Sequence, residues 1–282
     1  MTAGMDVGRY RVGMAELLEE SVSVVGETQR SLGVAVDGER ESLQNVLEED
    51  SAGAYRILCA LLLHKSKLHM RAMLRANSRN SIHSLAVQMR PILECAGQIV
   101  HVFGTSLTAP KEVGVKAVLE YVNSDFYQAT IGLTKGDIGH TELLKTISDA
   151  STMSGTNVRK GRRLRQTDKV AALRGGEAWY RHLSDHFCHG DKADWSGAPW
   201  QGGVGPIDLA TDFTIAGFMD YLVKQVAVMN LHAALCPVDG EVDDGRIELA
   251  GAHLQKVRDT SESVRDSAVA AIKNPENGAR DQ

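Results

Sequence analysis

Apolar residues in this chain recur at intervals of three and four, and no segment alternates convincingly at intervals of two. Ile57, Leu58, Leu61, Leu62, Leu68, Met70, Met73 and Leu74 form a broad apolar face of helical period. The segment 82–104 repeats the pattern with Leu85, Met89, Ile92, Ile99 and Phe103. A half-buried strand would send successive side chains to opposite faces between turn signals, and no run of residues does so. Aromatic residues supply only 5% of the chain, too few for the aromatic and β-branched runs of a sandwich or barrel. The expected fold is all-α, an irregular multi-helix bundle.

Helices are expected over 10–32 and 39–50, where Gly26, Gly33 and Gly38 weaken the pattern, then over 54–76 and 82–104. A turn is expected at Asn77–Asn80. Pro91 removes a backbone donor, so it kinks its helix or starts a new one. Further helices are expected over 110–134, 140–150, 177–188, 208–235 and 241–273. Residues 151–169 read as a loop giving way to a basic helix, and 189–208 as a long Gly- and Trp-containing loop. The chain reads as one helical domain, 1–282. Acidic helical ends, 1–50 and 237–282, flank a core bundle at 51–236, and the last residues fray.

Net charge is −5, unevenly spread. Residues 1–50 hold 4 basic and 11 acidic side chains, whereas 51–110 hold 7 basic and 1 acidic. Residues 159–176 again hold 7 basic and 1 acidic. Either the acidic ends cover the basic middles, which is the favoured reading at a pI near 6.1, or the basic blocks form an anion or nucleic-acid surface. Cys59, Cys95, Cys188 and Cys236 form no CxxC pair and read as free thiols. With no apolar leader at residues 1–20 and no run long enough to span a bilayer, a cytoplasmic protein without membrane contact is expected. Phosphate-loop, dinucleotide-fold and nucleophile-elbow motifs do not occur.

Titratable groups concentrate at 179–195, WYRHLSDHFCHGDKADW. Tyr180, Leu183 and Phe187 share a core-facing spacing, with Arg181, His182, Ser184, Asp185, His186, Cys188 and His189 around them. On an ordinary surface helix Arg181 would pair with Asp185. His182 and His186 have an i, i+4 metal-ligand spacing, but no H-E-x-x-H and no second ligand set accompany them, so neither metal nor cofactor is expected. His83, Arg90, Glu94 and His101 run along one line of the 82–104 helix. Arg90 and Glu94 form either a surface salt bridge or a buried pair holding a pocket or the Tyr180 helix, with a ligand-lining role as the functional alternative. Arg162, Arg163 and Arg165 lie in a basic run without interleaved aromatics, suited to phosphate contact but equally to a solvated loop. Trp179, Trp195 and Trp200 bracket this region, as clamps on the bundle or as stacking surfaces.

Arg181, a polar His182, three further residues and His186 resemble the R-polar-x-x-x-H pattern of the HEPN group, helical nucleotide-binding and ribonuclease domains of toxin–antitoxin and phage-defence systems. The chain is also similar to an uncharacterised family of bacterial helical proteins. That family pairs an R-x-x-x-E helix, here Arg90 and Glu94, with a Y-x-x-L-S-x-x-x-H helix, here Tyr180, Leu183 and Ser184, with Cys188 where the family has histidine. The resemblance implies metal-independent RNA cleavage, with His186 as acid/base, Arg181 as phosphate clamp and His182 as polar helper. It also implies RNA or a nucleotide as ligand, a homodimer with its site at the seam, and an antitoxin-like protein partner. Positions 181 and 186 lie about 140° apart on an ideal helix, so they meet one substrate only if the helix ends early or a second chain completes the site. The competing expectation is a non-catalytic helical module that binds a partner protein or small ligand.

Overall fold

A computed structural model of the chain describes residues 2–34, 52–79, 81–108, 166–188 and 206–273. Within them the protein is all-α: a multi-helix bundle with no strand, only an isolated bridge between Val238 and Glu241. Five long helices build it: α1 (Thr2–Ser31), α2 (Gly53–Asn77), α3 (Ile82–Thr108), α6 (Pro206–Ala234) and α7 (Asp244–Lys273). Two short ones, α4 (Gln166–Val170) and α5 (Gly176–Leu183), pack on the outside, and α5 runs directly into a π-helical turn, Ser184–Cys188. The helices expected at 39–50, 110–134 and 140–150, the basic run at 159–165, Trp195, Trp200 and the loop residues 189–205 lie outside the described residues. The expected loop end, Pro206–Asp208, already belongs to α6.

The chain directions follow from the pairings. Arg11 Nε donates to Asn77 Oδ1 at 2.8 Å and Lys67 Nζ to Gln29 Oε1 at 2.7 Å, so α1 and α2 are antiparallel. His69 faces Gln88 at 2.6 Å while the Tyr55 hydroxyl reaches the Ile99 carbonyl, so α2 and α3 form an antiparallel hairpin. α6 runs parallel to α1. Tyr10 donates to Asp220 Oδ2 at 2.8 Å, and the C-terminal ends of both helices converge on Arg246. α7 returns antiparallel to both, with Ser261 donating to Asp220.

The core is apolar and shared by all the long helices. α1 belongs to it fully rather than flanking it, burying Val7, Tyr10, Met14, Leu17, Leu18 and Val25. α3 continues unbroken through Pro91. The carbonyl that loses its donor belongs to Val87, an exposed position. Asp239 and Gly240 both take positive φ, 51° and 82°, in the tight turn that joins α6 to α7. Asp-Gly is the pair such a turn favours. Asp243 Oδ1 then accepts from the Arg246 amide at 3.1 Å and caps α7.

Candidate functional site

α5 carries Tyr180, Arg181 and His182, and its placement depends on two glycines. A Cβ at Gly97 of α3 would collide with the Lys169 carbonyl oxygen, so glycine alone lets α4 touch the α3 backbone. Gly175, at φ 73°, turns the chain between α4 and α5. α5 then lays Tyr180, Leu183 and Phe187 against the bundle, all three buried as their spacing predicts. Trp179 acts as a clamp, stacked on Tyr221 of α6 at 4.7 Å and edge-on to Phe218 at 5.7 Å.

Arg90, Glu94 and Tyr180 meet. Arg90 Nη2 donates to the Tyr180 hydroxyl at 2.7 Å, and that hydroxyl donates to Glu94 Oε1 at 2.8 Å. The guanidinium carbon also lies 4.8 Å from the Tyr180 ring centre. A phenol therefore bridges an i, i+4 charge pair, and the pair holds the Tyr180 helix. Tyr180 is 4% exposed. Burial pushes its pKa up to about 12; Glu94 pushes the same way and the Arg90 hydrogen bond opposes them. It is a neutral donor at physiological pH, which suits a rigid tie rather than a nucleophile. Lys169 is buried beside this cluster. Desolvation lowers its pKa, and the Glu94 carboxylate pulls it back up. Nothing in the spacing of the basic run marks Lys169 for burial. Its depth comes from the Gly97 contact.

Arg181 and His182 point away from that cluster. Arg181 pairs with Glu177, one turn before it at 2.5 Å, and not with Asp185 one turn after. It lines an open depression of about 490 Å³ with Ala171, Leu173, Gly175, Gly176, Glu177 and Ala178. His182 is exposed, its ring edge-on to Trp179 at 6.1 Å and to Phe187 at 5.7 Å. Ser184 opens the π turn half-buried, its hydroxyl without a hydrogen-bond partner among the described residues. His186 sits in the same turn, and its side chain, like that of Cys188 and the whole of Arg162, Arg163 and Arg165, lies outside the described residues. Of the α3 stripe, His83 is exposed beside Phe187, 5.7 Å between ring centres, and His101 is exposed farther along.

Comparison with protein-family models, with characterised proteins and with solved structures yields no match to this chain. Among the described residues, no group of three or more His, Cys, Asp or Glu side chains could hold a metal ion, and no helix is long and apolar enough to cross a membrane.

Proposed function

We propose that the chain is an HEPN-like cytoplasmic protein that engages RNA or a nucleotide at the outer end of α5 and cleaves RNA without a metal. One observation carries this reading: the R-polar-x-x-x-H run straddles the junction of α5 and the π turn, with Arg181 on an open depression beside it. π turns inside helices are frequent at functional sites because they break the regular register of side chains. In the proposed reaction His186 takes the proton of a ribose 2′-hydroxyl, whose oxygen attacks the adjacent phosphorus. The bond from phosphorus to the 5′-oxygen breaks, and a proton returns to that oxygen. Arg181 meets the charge on the phosphoryl oxygens and His182 assists. The basic run with Arg162, Arg163 and Arg165 would add sequence-blind phosphate contacts. A homodimer bringing two such ends together, an antitoxin-like protein partner and a role in phage defence belong to the same reading.

The pairing of Arg181 with Glu177 favours a second reading, a non-catalytic helical module that binds a partner protein or small ligand, because the guanidinium is already engaged. Mixed RNA incubated with wild type, Arg181→Ala and His186→Ala separates the two. Cleavage by wild type that falls at least a hundredfold in both variants is expected. Equal activity in all three, or none in any, removes the ribonuclease.

A further inference from the structure

α7 docks on the bundle through a face that is half polar. Its buried residues are Arg246, Ala250, His253, Val257, Ser261 and Ala268. His253 is the unusual member, an imidazole 3% exposed at the contact with α1. Its Nε2 lies 3.1 Å from Ser21 Oγ, and that hydroxyl gives its own proton to the Leu17 carbonyl at 2.7 Å. Ser21 can therefore only accept from the ring, which fixes the proton on Nε2. Nδ1 is left as a bare acceptor, fully buried and with no hydrogen-bond partner among the described residues. A second proton would have to go there, making a cation with nothing to bond its N–H.

The charges around the ring do not rescue that cation. Glu20 from α1 and Lys256 from α7 are the charged groups that act on it, and they pair with each other at 2.6 Å. α6 puts its own charges, Asp220 and Lys224, beside Ser261, two turns further along α7. Burial holds the His253 imidazole below its usual pKa. We infer that α7 is an acid-released helix: protonation of His253 undocks it from α1 and α6 while the α2–α3 hairpin stays folded. The undocked ring takes its proton near pH 6.5 and the docked ring only lower. Docking is therefore strongest above that pH and weakens as pH falls below it. This inference is independent of any reaction at Arg181.

Hydrogen exchange of the full chain, followed by mass spectrometry at pH 7.5 and 5.0 with times scaled for intrinsic exchange, tests it. The open population of α7 is expected to rise about thirtyfold at pH 5.0, the limit for one group that binds its proton only when undocked, with α2 and α3 unchanged. His253→Gln keeps a donor for Ser21 and cannot titrate, so α7 in that variant should show no pH response. A rise below about threefold in wild type, or the same rise in His253→Gln, overturns the inference. Should His253→Gln fold poorly, the wild-type His253 ring resonance decides: it should stay neutral as long as α7 is docked. A ring that titrates near pH 6.5 with α7 protected overturns it equally.

Discussion

α3 and α7 are of similar length and both pack against α6, yet they are held by different physics. α3 buries Ile82, Leu85, Met89, Ile92, Leu93, Ile99 and Val102, so water exclusion from aliphatic surface fixes it. α7 buries an arginine, a histidine and a serine among small residues, so its docking depends on each polar group meeting its partner. Arg246 gives Nε to the Ala234 carbonyl at 2.9 Å, Nη1 to the Ser31 carbonyl at 3.3 Å, and Nη2 to the Cys236 carbonyl. Because α1 and α6 are parallel, both present their carbonyl ends and the negative pole of their dipoles at one place. One cation answers both. A hydrophobic interface degrades gradually when altered, whereas a polar one fails when a single donor is lost.

Substitutions at four positions, one of them also in a Glu94→Gln background, press on that contrast, from the largest expected effect down. Arg246→Ala should cost about 4 kcal/mol in urea unfolding, because three carbonyls lose a charged donor and a cavity opens. Arg246→Met, which restores volume alone, should recover less than half, and full recovery would make α7 a hydrophobic helix after all. Ile92→Ala in α3 should cost about 3 kcal/mol, equally at pH 7.5 and 5.5, since no titrating group is involved. A loss that varies with pH would erase the distinction between the helices. Tyr180→Phe keeps the ring but leaves Arg90 and Glu94 without their bridge, for about 1–2 kcal/mol. In the Glu94→Gln background that loss should shrink, as a double-mutant cycle would show. Arg181→Ala should leave stability within about 0.5 kcal/mol, as exposed i, i+4 pairs contribute little. A larger loss would mean that Arg181 holds α5 in place.

The two helices also differ in how far they can be read from residues alone. α3 is legible because its apolar side chains repeat at helical spacing and burial follows from that repetition. α7 shows a helix but hides its contacts, since nothing near Arg246 or His253 in the chain reveals that carbonyls and a hydroxyl from α1 and α6 await them. α1 reads weakly for a related reason. Its inner face mixes Ser21, Thr28 and Gln29 with the apolar residues. At the candidate site, spacing puts Arg90 and Glu94 on one line and Tyr180 on a core face. Their meeting joins positions 86 apart and depends on the Gly97 contact that brings the α4–α5 segment close. Lys169 was invisible because a lysine in a basic run gives no sign of burial.

The side-by-side packing of α1 with α6 has a consequence for how the protein is made. Tyr10 and its acceptor Asp220 are 210 positions apart. At ordinary translation speeds α1 leaves the ribosome roughly 10–40 s before the helix that covers it. For that interval its oily stripe has no lasting partner from the C-terminal third, so the nascent chain is a natural client for a holding chaperone.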